Sequence, residues 1–386
     1  MMSLRALAAL CATLAAAGCT NTTERSSRDA LPGDLVLSNV SVLLPLPSLD
    51  EARVMLGVDS AGAHGPLLPH AVFDALLPLS PAVQSEAELE RVRVVAARLD
   101  PCAPSLTLGP SADCRHELRL VMQPLIEAGE HVRAEDAAIH AVYALPASAL
   151  LSLLLRWRDA AGDTALPDAP LGPHPLAVAE GAAGPFALAV GSAILEHAGA
   201  ARLARVTFMR HTSPASWTFG GVELHAGALT PLTIPTTGAT EQRLTRAPGA
   251  DPLALDATIE PALPPAGDNV ALVLDSQAAT ALSPGESWLA YERLLRIENP
   301  DAHSPMSVDC ASCHAAPQAR RWLESRFPFA TAPSASRFAS SFDLATLDAP
   351  FSLRAFGWHD TSPVVSARTA NDSAAVAAYL NGLGRR

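Results

Sequence analysis

Cys310, Ala311, Ser312, Cys313 and His314 bring two thiols and an imidazole together within five residues. Side chains three apart share one turn of a helix, so both thiols can reach one edge of a flat ligand, and the next residue falls beneath it. This is the spacing of covalent haem attachment: the sulfurs form thioethers to the two vinyl groups, and His314 ligates the iron as its proximal ligand. A thiol pair at this spacing also serves zinc sites and thioredoxin-like redox couples. A zinc site asks for a second close ligand pair, and the other neighbouring cysteines, Cys102 and Cys114, lie far upstream. A thioredoxin-type pair follows a strand within a βαβ unit, and no such unit surrounds this stretch. Covalent haem is the expectation; a free dithiol or disulfide and a haem-free metal site are its rivals.

The chain around the motif has 386 residues, 49% of them hydrophobic, which is ample for a core and for more than one domain. Its formal net charge of -12 repels phosphate backbones, so nucleic acid is not an expected partner. All 27 of its basic residues are arginine. The absence of lysine excludes a P-loop lysine, a pyridoxal Schiff base and a kinase-type catalytic lysine.

Met1–Arg5 provides a positive start and Ala6–Ala17 an apolar run, too short to span a bilayer and suited to a signal-peptide core. Leu14-Ala15-Ala16-Ala17-Gly18-Cys19 resembles the lipobox of bacterial lipoproteins, which implies lipidation of Cys19; Ala16 stands where leucine is commonest, so ordinary cleavage after Ala17 stays open. Acyl chains on Cys19 would anchor the protein without a transmembrane helix. Thr20, not aspartate, follows the cysteine, which by resemblance to enterobacterial sorting favours the outer membrane. The expected location is the cell envelope, lipid-anchored and facing the periplasm. Haem ligation and stable disulfides belong to the same compartment, where Cys102 and Cys114 are expected to pair and to contribute about 2 to 4 kcal/mol.

Between tether and motif the periodicities alternate. Even-numbered apolar residues predict strands over 34–44 and 116–123, and further strands are read over 92–99, 136–144 and 205–210. Apolar helices are predicted over 145–161 and 184–200. The stretch 217–236 reads as short strands parted by glycines, and 237–267 as a long surface segment. No G-x-S-x-G, H-E-x-x-H, G-x-G-x-x-G or calcium loop occurs, and nine histidines, His140 among them, are scattered singly through this body. Nothing in it names a reaction.

Helical spacing returns over 285–298, continues from Ala315 to Phe327, and closes the chain as Asn371-Asp372-Ser373-Ala374-Ala375-Val376-Ala377-Ala378-Tyr379-Leu380-Asn381-Gly382-Leu383. Together with the Cys-x-x-Cys-His motif, that ending resembles class I c-type cytochromes over about the last hundred residues. The resemblance implies heme c iron held by Cys310, Cys313 and His314, a helix before the motif that crosses the terminal one, and the Pro328 carbonyl accepting from the His314 ring. It also implies a distal methionine after the motif, and none follows Met306. His359, in Gly357-Trp358-His359-Asp360, is the expected distal iron ligand; Met306, His303 or an open iron are the alternatives. Ligation by two histidines lowers the potential relative to histidine and methionine.

The expected fold class is thus an α+β N-terminal body followed by a small, mostly α, cytochrome c-like haem domain. The expected division is a signal peptide at 1–18, a tether at 19–33, the α+β domain at 34–283 and the haem domain at 284–386. The leading functional expectation is electron transfer with a redox partner protein or a small redox substrate at the membrane surface. A haem enzyme or gas sensor with an open distal site is the alternative, as is an envelope binding module with an accessory haem.

Overall fold

Alternating apolar side chains from Val92 onward build the second strand of a ten-stranded antiparallel sheet in the computed structural model. The structure describes residues 35–103, 115–162, 170–225, 227–327, 337, 339–342, 344–349 and 351–384. The expected signal peptide, Cys19 and the expected tether lie outside the described residues, as do Cys114 and Pro328. The chain is mixed α and β.

The sheet runs β1 (Ser41–Leu43), β4 (Val92–Ala103), β5 (Arg115–Ala128), β7 (Ala138–Leu145), β8 (Leu203–Ser213), β9 (Ser216–His225), β11 (Glu241–Arg246) and β12 (Ala257–Glu260). β6 (His131–Ala134) pairs with β5 and β10 (Ala228–Pro231) with β9, while β2 (Ala61–Gly62) and β3 (Gly65–Pro66) form a separate hairpin. From β4 onward spatial order follows chain order, although β7 and β8 are joined not by a turn but by the helices between Leu145 and Leu203. The expected strand over 34–44 is a helical turn, α1 (Leu37–Val40), leading into β1. Asn39 Oδ1 accepts from the Val36 N–H at 2.9 Å and closes that turn, a local bond that hydrophobic alternation does not register. The stretch 237–267, expected as surface loop, holds β11 and β12; Gln242 at a buried position breaks the apolar alternation that would have marked β11.

Each face of the sheet has its own cover. Leu118, Leu120 and Met122 of β5 and Ile139, Ala141 and Tyr143 of β7 face a helical layer, beginning with α2 (His70–Asp74). Its main members are α3 (Ala147–Ala161), with Leu153 and Trp157 fully buried, α4 (Pro175–Glu180) and α5 (Pro185–His197). The opposite face is covered by α6 (Ser276–Thr280), α7 (Pro284–Glu298), α8 (Cys310–Arg326) and the hairpin β13 (Phe356–His359) and β14 (Ser362–Val365). The terminal helix α9 (Ala367–Gly384) packs on α1 and β4.

The last hundred residues share their cores with the body. Val376, Ala377 and Leu380 of α9 join the core of β4, β5 and α3. Phe356, Trp358 and Val365 pack on Val95 and Val121 from the other side, and Met209, Trp217 and Leu244 pack with Leu294, Ala315 and Leu323. Gln123 of β5 reinforces the hairpin's seat by donating to the Trp358 carbonyl at 2.9 Å and accepting from the Trp358 N–H at 2.8 Å. Residue 357 there is glycine at φ 141°, and a Cβ would run into Gln123 Oε1. The expected boundary at Ser283 is therefore a helix N-cap inside one continuous packing arrangement. α7 packs against α8 and touches α9, and these helices lie against the sheet.

Candidate functional site

Asp309 starts α8 and fixes where the motif sits. Its Oδ1 accepts from the Ser312 N–H at 2.9 Å, the bond expected of an aspartate N-cap, and from Gln242 Nε2 at 2.9 Å. Gln242 Oε1 in turn accepts from the Ala311 N–H at 2.8 Å. The first turn of the motif helix is thus bolted to β11 by polar groups that are all buried.

Beyond that anchor, Cys310, Cys313 and His314 open on one cavity of about 190 Å³ between the sheet and α8. Its lining is mostly apolar, with Val121, Val142, Phe208, Phe219, Leu232 and Phe356 among it. His314 Nδ1 lies 2.6 Å from the Leu353 carbonyl, which can only accept, so Nδ1 carries the proton and Nε2 keeps its lone pair. A backbone carbonyl holding one ring nitrogen is the arrangement that orients a ligating histidine. The carbonyl is that of Leu353, not of Pro328. Burial pushes the His314 pKa down to about 4, so the ring is neutral near pH 7.

Across the cavity stands His140 of β7, one of the histidines that sequence reading passed over. Its ring centroid is 6.3 Å from that of His314 and the planes lie within 10° of parallel. Burial, then the neighbouring His314 and Arg354, push its pKa down to about 3. It keeps some accessible surface although it lies deep in the fold, because the cavity opens onto it.

Sheet register explains the remaining polar lining. Arg98, Arg119, Val142 and Arg205 are successive partners across β4, β5, β7 and β8, so three arginines form a row on the cavity face. The next row on the same face is Val121, His140 and Thr207. Arg98 pairs with Asp372 at 2.5 Å, Arg119 with Asp100 and Glu117, and Arg205 reaches Glu117 at 3.7 Å and the Met306 sulfur at 3.4 Å. Arg368 of α9 also lines the cavity, donating to the Ile297 and His303 carbonyls. The Arg98 Nε is buried without a hydrogen-bond partner among the described residues.

Burial pushes the Cys310 pKa up to about 12 and raises that of Cys313. Reactive redox dithiols have lowered thiol pKa values, the opposite sign. Cys310 and Cys313 are the free thiols among the described residues. Cys102 is buried on β4, and its expected partner Cys114 lies outside the described residues.

The expected iron ligands separate in space. His359 sits at the end of β13, paired in the ladder with Ser362, and is not among the residues lining the cavity. His303 has both ring nitrogens engaged, Nδ1 by Ser307 at 3.0 Å and Nε2 by Asp268 at 2.8 Å. Met306 does line the cavity. Among the described residues no group of three or more His, Cys, Asp and Glu side chains is placed to hold a metal ion, and no helix is long and apolar enough to cross a membrane. A porphyrin iron brings four donors of its own and asks the protein for two at most. Free thiols, an oriented imidazole, apolar walls and an unpartnered arginine Nε together fit such a group.

Comparison with protein-family models, with curated proteins and with solved structures gives no match.

Proposed function

We propose that this chain is an exported, lipid-anchored carrier of one c-type haem, bound through Cys310, Cys313 and His314, that passes single electrons between partners at the envelope surface. The observation that carries the reading is the shared cavity of two free thiols and an imidazole whose Nδ1 is held by a backbone carbonyl. A bound haem would supply one-electron chemistry, accepting an electron from a reduced partner and passing it to an oxidised one. Cys310 and Cys313 would hold the porphyrin edge as thioethers, and His314 Nε2 would ligate the iron. Arg98, Arg119, Arg205 and Arg368 would supply cations for the haem carboxylates beside their present partners Asp372, Asp100 and Glu117, and the mostly apolar lining would raise the worth of those charges. Cys19 would carry the lipid, and a Cys102–Cys114 disulfide would close the β4–β5 connection.

Production in a host with a haem-ligation system tests this. The expected product keeps haem through denaturation, shows a pyridine haemochrome band of two thioethers, and loses one thioether in Cys310→Ser. Cys19→Ala is expected to move the protein from the membrane to the soluble fraction. Chains free of covalent haem would overturn the reading.

A further inference from the structure

We propose that His140 is the second axial ligand of the iron, closing the haem from the sheet side. The inference rests on covalent haem at Cys310 and Cys313 and takes the partner of His314 from the sheet, outside the last hundred residues.

Two imidazoles that share one metal ion through nitrogen–metal bonds of roughly 2 Å, with each ring centre roughly 1 Å farther out, hold their centroids about 6 Å apart. His140 and His314 hold theirs at 6.3 Å, with planes 10° from parallel. The same spacing lies within the range of offset aromatic pairs, so what favours a shared ion is that both rings line one cavity that also holds the two thiols. They come from opposite walls of one cavity, His140 from the middle of a sheet and His314 from the helix that also presents both thiols.

The nitrogens are available. His314 spends Nδ1 on Leu353, and His140 has no hydrogen-bond partner among the described residues. The alternatives are worse placed: His359 lies outside the cavity lining, the His303 nitrogens are bound to Ser307 and Asp268, and the Met306 sulfur accepts from Arg205. β7 is hydrogen-bonded on both sides, by β5 and β8, so His140 stands on a rigid support of the kind a ligand needs to hold its position. With both axial positions taken by protein, the iron would transfer electrons and not bind peroxide or a diatomic gas.

The experiment is electron paramagnetic resonance and carbon monoxide titration of the full-length holoprotein, wild type and variants, with covalent haem measured on the same samples by mass. Ferric wild type is expected to be low-spin and rhombic, as near-parallel imidazole planes require, and its ferrous form inert to carbon monoxide. His140→Ala is expected to become high-spin, to take carbon monoxide, and to return to low-spin with added imidazole; His359→Ala is expected to match wild type. The imidazole rescue separates loss of a ligand from loss of the fold. Covalently bound haem that is high-spin or binds carbon monoxide in wild type, or that stays low-spin in His140→Ala, would overturn this assignment and leave the haem reading standing. Absence of covalent haem in wild type would overturn both.

Discussion

An imidazole ligates a metal only while neutral with a lone pair aimed at the ion, and burial is what keeps it neutral. The same physics acts away from the cavity. His174 is 1% exposed, lies flat on Phe186 at 3.9 Å, and has its pKa pushed down to about 4 by burial. An unfolded chain takes up a proton on this group near pH 6.5, while the folded chain resists until about pH 4. Stability is therefore complete above that upper value and falls as pH drops through the window, by about 2 kcal/mol at pH 5. Urea midpoints at pH 7.5 and pH 5 check it: His174→Leu is expected to lose less between the two than wild type, and equal losses would count against it. His140 obeys the same rule, yet nothing marked it in the sequence. A lone histidine between Ile139 and Ala141 looks like any strand histidine until the register of β5 and β8 shows which face it occupies.

At the level of elements, the motif works because one helix turn is capped and docked at once. Asp309→Ala removes the N-cap, worth about 1 kcal/mol, and leaves buried Gln242 without its acceptor, worth about 1 to 3 kcal/mol more. The expected result is a fall of about 2 to 4 kcal/mol in unfolding free energy by denaturant titration, together with less haem per chain. An unchanged midpoint with full haem loading would refute the docking role. The elements themselves were largely legible: β4, β5, β7, α3, α5, α7 and the motif helix follow from periods of two and of 3.6. β11 escaped because its key residue is polar. A glutamine is buried there at no penalty because Asp309 and the Ala311 N–H satisfy it, and those partners lie about seventy residues away.

Taken whole, the molecule wraps its C-terminal stretch around both faces of the sheet, so that stretch cannot keep its core alone. Val376 and Leu380 of α9 are buried against the body, each worth roughly 1.5 to 3 kcal/mol. The fragment 284–386 is expected to show no cooperative thermal transition and no low-spin haem, whereas a freely folding, haem-loaded fragment would restore the separate domain that the class I resemblance implied. By itself the sequence determined what is local: two thiols and an imidazole on one helix turn, and the faces of the long strands. Those follow from backbone geometry over a few residues. Only the tertiary structure decided which surface the motif faces, that arginines from three strands line it, and that His140, 174 residues before His314, stands opposite. Strand register and helix docking set those distances, and they depend on contacts between residues whose spacing along the chain carries no signal.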